Sequence, residues 1–313
     1  MSDVATERSR REAWLMAARP HTLPAAAAPV VVGTGLAVHE GVFAPLPALA
    51  ALVGAALIQI GTNFANDYYD AVKGVDTDDR EGFTRVTQSG LIPPTQVKRA
   101  MYATFALAVL VGVYLVWVGG VPILAIGLAS VVSGIAYAGG PYPLGSHGLG
   151  DLFVFVFFGV VAVTGTVYVQ AASVLAGAFP TAIPEGTVTL AALAASLPVA
   201  AISTNIMVVN NVRDLETDRE AGKTTLAVLL GYRASRAEFV GMLALAYATP
   251  FWFWLAGDHS PAVLLPLVTI PYAAVVTRTV LTDTSGEALN PALERTGKLL
   301  AGYAALFALG LIA

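Results

Sequence analysis

Long apolar runs constrain this chain more than anything else in it. About 20 consecutive apolar residues cross the hydrocarbon core of a bilayer as a helix. Runs of that order fall near 20–40, 46–66, 100–119, 121–138, 151–176, 188–210, 236–256, 261–282 and 297–313. They predict an all-α, polytopic membrane protein with nine transmembrane helices. Composition agrees, since only 12% of residues are charged, about half the ~25% of a soluble domain. No separate soluble domain is visible, so residues 1–313 read as one integral membrane domain, with 1–19 as a cytoplasmic or interfacial segment anchored by Trp14.

Basic residues favour cytoplasmic loops. All 17 Lys and Arg lie in four segments: before the first run, between the second and third, between the sixth and seventh, and around the last connection. The intervening connections, such as "HEGVFAPLP" and "GAFPTAIPEGT", carry none. The N-terminus and the charged segments are therefore expected in the cytoplasm. The N-terminal segment has no apolar core or small-residue cleavage site, so it does not read as a secretory signal. The absence of cysteine excludes disulfides, thiolate metal sites and a cysteine nucleophile.

Chemistry concentrates in two acidic segments on that side. The first, "NDYYDAVKGVDTDDR" (66–80), follows the second run, and the second, "NNVRDLETDREAG" (210–222), follows the sixth. Gln59, Asn63, Asn66, Asp67 and Asp70 share one helical face, as do Asn210 or Asn211, then Asp214 and Asp218. Polar stripes at membrane depth usually face a bundle interior or a wet cavity. One acidic cluster at a helix end is ordinary capping; two on one membrane side, each behind an Asn-bearing stripe, suggest a shared site built from two related halves. Grouped carboxylates repel unless a cation intervenes. Oxygen-only ligands without His or Cys suit Mg2+, which typically also takes substrate phosphates. Lys73, Arg80, Arg85, Arg213, Arg219 and Lys223 could meet phosphate oxygens. The "GKT" at 222–224 is not a nucleotide-binding loop, because Thr217 stands where that pattern needs glycine.

At these residues the sequence resembles the UbiA superfamily of intramembrane aromatic prenyltransferases. The matching stretches are "RPHTLP" (19–24), "NDYYDAVKGVD" with the following "TRVTQSG", "GLGD" (148–151) and "NNVRDLETDREAGKTTLAVLLG" (210–231). The stretch "DDREGFTRVTQSG" favours the branch acting on 1,4-dihydroxy-2-naphthoate. The resemblance implies a nine-helix bundle with a cytoplasm-facing site. It implies transfer of a polyprenyl group from polyprenyl diphosphate to that acceptor, with loss of its carboxyl group, giving demethylmenaquinone. Asp67, Asp70, Asp214 and Asp218 would hold Mg2+ and be catalytic. Asn63, Asn66, Lys73, Arg85, Asn210 and Lys223 would contact the diphosphate, with Asp76 a weaker candidate.

Tyr68, Tyr137, Tyr142 and Tyr168 could shield an allylic cation through their ring faces or simply pack. Asp151 could contact the acceptor or merely cap a helix, and Arg19 could meet the acceptor's carboxylate or lipid headgroups. The partners implied are the two substrates and membrane lipid, with no nucleic acid, in a plasma membrane. A UbiA-type enzyme with another acceptor (homogentisate, another aromatic or a lipid alcohol) stays open. A secondary transporter also stays open, although transporter sites sit nearer the bilayer midplane.

Overall fold

Prolines and small hydroxyl residues punctuate the apolar runs and set where the helices begin. Pro45 and Pro94 open two of them, and Thr189, Ser260 and Ser285 cap three others by accepting from backbone N–H groups in the first turn. The computed structural model describes residues 9–73, 86–87, 89–138, 145, 147–256 and 259–313, without the side chains of Asp70, Lys73 and 134–138. Among the described residues there is no strand. The helices are α1 (Arg10–Ala18), α2 (Leu23–His39), α3 (Pro45–Lys73), α4 (Pro94–Ala138), α5 (Gly150–Val154), α6 (Ala162–Leu175), α7 (Leu190–Arg213), α8 (Leu215–Glu220), α9 (Leu226–Ala256), α10 (Ile270–Thr282) and α11 (Gly286–Ile312). A π-helical stretch, Phe155–Val161, joins α5 to α6, and a 3-10 stretch, Pro261–Thr269, leads into α10.

Among the described residues, eight helical segments are long and apolar enough to cross a membrane, against the nine expected. The difference lies in α4, where the runs expected at 100–119 and 121–138 form one helical segment of 45 residues interrupted at Gly120. Gly120 has φ 66° and ψ −151°, a region open essentially to glycine alone. The 176–189 connection docks on this break. Val121 N–H donates to Pro180 O at 2.9 Å, and Phe179 N–H donates to Trp117 O at 2.9 Å. A Cβ on Gly120 would fall 1.8 Å from Pro180 O. Gly120→Ala is therefore expected to destabilise the protein by about 3 kcal/mol or more, read as an earlier unfolding transition in detergent.

α7 is the central element. In its apolar window 72% of residues are buried, against 17% for α4, whose Leu107, Leu110 and Val113 face outward where lipid would be. α7 packs on α2, α9, α11 and the π-helical stretch. The last contact is backbone on backbone, since a Cβ on Gly159 would lie 2.1 Å from Ala200 Cβ. Small residues permit such approach where the surroundings are as apolar as the side chains. α3 packs on α4, and α2 touches both α3 and α7, so one helix lies against both carriers of the acidic segments.

Ser9 and Glu12 form a reciprocal capping box that starts α1. Trp14 is half-buried and packs edge-on against Phe64 of α3 at 5.8 Å between ring centroids. Ala13 and Ala17 are buried beside Phe64, Val86, Ile92, Val97 and Met101.

Candidate active site

Four-residue spacing puts Gln59, Asn63 and Asp67 on one face of α3. Asn63 and Asp67 are buried and Gln59 half-buried, whereas Asn66 is exposed on the neighbouring face. Asn63 Nδ2 donates to Ala18 O and to Thr22 Oγ1, both at 2.9 Å. Gln59 Nε2 donates to the same Thr22 Oγ1 at 3.1 Å, and that hydroxyl donates to Arg19 O at 2.9 Å. These bonds fix the turn between α1 and α2, where Arg19 takes the left-handed φ of 50°. Asn63, expected on the diphosphate, thus has both amide N–H donors engaged within the protein. Its position serves the "RPHTLP" turn.

One turn further on, Asp67 is 1% exposed. Its Oδ2 accepts from Thr87 N–H at 3.2 Å and from the Thr87 hydroxyl. The chain leaving α3 therefore returns to the carboxylate through "TRVTQSG", and Val86 anchors the return in the apolar cluster beneath α1. Sequence reasoning missed Thr87 as a partner, although the stretch containing it carried the resemblance. The side chains of Asp70 and Lys73 lie outside those described, as do Asp76, Arg80 and Arg85.

The second segment begins where α7 ends. Asp214 leaves helical geometry at φ −92° and ψ 6°, which separates α7 from the short α8. Arg213 grips the Asp214 carboxylate with both prongs, Nε to Oδ1 and Nη2 to Oδ2, each at 2.7 Å. Its Nη2 also donates to Asn210 Oδ1 and its Nη1 to Asn290 Oδ1 of α11, each at 2.8 Å. Asn210 Nδ2 closes the ring on Asp214 Oδ2 at 3.3 Å. The Arg213 side chain is 7% exposed and that of Asp214 28%. A bidentate guanidinium pair of this kind is geometrically specific.

Asp218 is placed by a helix ending. Gly222 has φ 74°, and the N–H groups of Lys223 and Gly222 donate to Asp218 O and Arg219 O at 2.9 and 3.1 Å. Those two bonds close α8 as a Schellman turn. The turn brings Lys223 Nζ back to Asp218 Oδ1 at 2.7 Å. The "GKT" stretch is therefore a helix terminator that sets a buried carboxylate beside a half-exposed ammonium.

A fourth carboxylate stands on α5. Asp151 is 4% exposed, and Asn211 of α7 donates to its two oxygens at 3.5 and 3.3 Å. Glu238 of α9 lies within electrostatic range of it. Asn211 is thus a helix-to-helix link, a pairing that residue spacing does not reveal. Among the expected tyrosines, buried Tyr168 donates its hydroxyl to Gly119 O at 2.8 Å and supports the α4 break. Tyr68 already lies beneath the Lys98 ammonium, 5.5 Å from the ring centroid. The side chains of Tyr137 and Tyr142 lie outside those described. His39 and His259 stack at 3.9 Å between centroids, two residues that sequence alone left ungrouped.

The structure therefore organises the candidates locally: Asp67 with Thr87, Asn210 and Asp214 with Arg213, Asp218 with Lys223, and Asp151 with Asn211. Among the described residues, no three carboxylate or imidazole groups are gathered closely enough to hold one ion. The set expected to do so includes Asp70, whose side chain is not described. The donor chemistry itself suits a hard divalent cation, being oxygen throughout. A carboxylate offers about four lone-pair positions, so the partners of Asp67, Asp214 and Asp218 leave capacity for another ligand.

Residues 26–300 match the UbiA prenyltransferase family. The chain is 40% identical over 311 residues to a 1,4-dihydroxy-2-naphthoate octaprenyltransferase of Escherichia coli (strain K12), covering 97% of this chain and 96% of that one. It is 39% identical over 286 residues to the protein of the same name from Mycobacterium tuberculosis, covering 91% of each. Its fold is similar to that of a UbiA homologue from Archaeoglobus fulgidus bound to DMAPP and Mg2+, with a TM-score of 0.57 and 16% identity over 94% of this chain and 98% of that one. The acidic segments at the ends of α3 and α7, the all-helical membrane architecture and a match spanning most of the sequence lead to one conclusion: this chain belongs to the UbiA prenyltransferase family.

Proposed function

We propose that this protein transfers a polyprenyl group from polyprenyl diphosphate to 1,4-dihydroxy-2-naphthoate, giving the quinol form of demethylmenaquinone, diphosphate and CO2. The observation carrying this reading is 40% identity, across nearly the whole chain, to an enzyme named for that acceptor. In the overall reaction the C–O bond between the prenyl group and diphosphate breaks. A C–C bond forms at the ring carbon that loses its carboxyl group.

Asp67, Asp70, Asp214 and Asp218 would hold Mg2+, with Asn66 and Asn210 beside them; the structural relative bound to Mg2+ and DMAPP supports this. When bound, the ion neutralises phosphate oxygens and stabilises the charge that develops on the leaving group. The chain's own cations add to that field. Lys223 is half exposed and held at the segment by Asp218, and Arg213 orients the Asp214 carboxylate. Lys73 and Arg85 would bind the diphosphate by resemblance to the family.

The apolar bundle keeps water from an allylic cation until the acceptor ring attacks. Asn63 acts indirectly, by holding the α1–α2 turn against α3. The distribution of Lys and Arg supports a multi-pass protein of the plasma membrane with a cytoplasmic N-terminus, working as a single domain over residues 1–313.

The test incubates purified protein with Mg2+, a polyprenyl diphosphate and a panel of acceptors, with 1,4-dihydroxy-2-naphthoate labelled at its carboxyl carbon. The expected result is a prenylated naphthoquinol lipid by mass analysis, with label released as CO2. Product from homogentisate or a lipid alcohol alone would overturn the acceptor assignment. Vesicle transport of a soluble substrate with no prenyl transfer would overturn the enzyme assignment.

A further inference from the structure

A concave feature lies beside the second acidic segment, on the face that α9 and α10 present outward, where the Tyr232 hydroxyl donates to Glu216 of α8, a carboxylate already paired with Arg219. It is a groove of roughly 690 Å³, within the ~300–1,000 Å³ range of ligand sites. Tyr232, Arg233 and Arg236 form one end, and Val240, Gly241 and Leu281 lie along its length. No acidic side chain lines it. The cationic end is the end of α9 that follows the second acidic segment in the chain, so it shares that segment's membrane face. The apolar end runs toward the membrane interior.

The two arginines are held differently. Arg236 donates from Nε to Val280 O and from Nη2 to Asp283 O, both at 3.0 Å, which anchors it to the end of α10. Its guanidinium carbon also sits 5.5 Å from the centroid of the Tyr232 ring. Carbonyl and ring partners fix its position without cancelling its charge. Arg233 is exposed, and among the described residues neither arginine is in an ion pair with a carboxylate. Two uncancelled guanidinium groups above an apolar trough match a phosphate carried on an acyl chain. Basic pockets between transmembrane helices are a recurrent form of headgroup recognition.

We propose that this groove binds an anionic phospholipid, its phosphate at Arg233 and Arg236 and an acyl chain along Val240, Gly241 and Leu281. Charge complementarity decides the class of occupant. A zwitterionic lipid brings its own cation to the same end, and a metal-bound diphosphate needs carboxylates that this groove lacks.

Two substitutions test the site without touching the acidic segments. Arg233→Gln removes an exposed charge that supports no internal contact among the described residues. Gly241→Phe fills the trough, because a Cβ there meets nothing within 4 Å. Full-length protein in neutral detergent is titrated with phosphatidylglycerol or phosphatidylcholine and read by native mass spectrometry for retained lipid, with size-exclusion profiles to verify folding.

The expected result is selective retention of phosphatidylglycerol by the parent protein. Arg233→Gln should weaken it about five-fold, the equivalent of ~1 kcal/mol per basic side chain at an anionic headgroup. Gly241→Phe should abolish it, and millimolar inorganic phosphate should leave it unchanged. Equal retention of the two lipids, unchanged retention by both folded variants, or displacement by inorganic phosphate alone would overturn the proposal.

Discussion

Asp214→Asn is expected to lower prenyl transfer by about a hundred- to a thousand-fold, the scale of losing one preorganised electrostatic contact to a transition state. The substitution keeps the shape of the side chain and an oxygen for Arg213 to meet. Arg213 also keeps Asn210 and Asn290, so the contact of α7 with α11 survives. What disappears is one negative charge at a carboxylate that is 28% exposed, together with one of the two prongs by which Arg213 holds it. The substitution thus touches an electrostatic and a structural contribution. Turnover measured across a Mg2+ titration, beside an unfolding curve in detergent, separates the two. Parental turnover at saturating Mg2+ would remove Asp214 from the proposed site.

Asp67→Asn should bring a loss of the same order. Asp67 is almost fully enclosed, and one of its oxygens receives both the backbone N–H and the hydroxyl of Thr87. An amide in its place can keep both Thr87 contacts on its one oxygen, but as a neutral acceptor it holds them less strongly. The return of the chain at Val86–Thr87 should therefore loosen as well. Thr87→Ala is the informative companion, since it keeps the carboxylate and removes one donor. A drop of about ten- to a hundred-fold, the usual effect of losing an outer partner of a metal-binding side chain, is expected there. Faster hydrogen exchange at residues 86–87 in both variants, with turnover falling further in Asp67→Asn, is the pattern that distinguishes charge from position.

The membrane architecture was legible because spans need only length and apolarity, and both are local properties. The polar face of α3 was legible for the same reason, as four-residue spacing fixes it without reference to neighbours. The division between the runs at 100–119 and 121–138 coincides with Gly120, whose backbone leaves helical geometry inside α4. Trp14 reads as an interfacial anchor, and its packing against Phe64 is a tertiary contact that no local pattern announces. The partners of the acidic side chains were hidden for a related reason: Thr87, Asn290 and Asn211 reach their carboxylates or cations through returns of the chain that carry no periodic signal. Lys223 is intermediate. Its Gly neighbour announces a helix end, and the fold-back onto Asp218 follows from that ending.

The shared hydroxyl of Thr22 has a consequence for how the first acidic segment would respond to damage. Gln59 and Asn63 both lean on that one oxygen, and Asn63 leans also on the final carbonyl of α1. The amino-terminal helix is thus a latch fastened one turn below Asp67. Proteolytic clipping between α1 and α2 would strand buried Asn63 and half-buried Gln59 at once, and the injury would reach the diphosphate end of α3 without any residue there being altered.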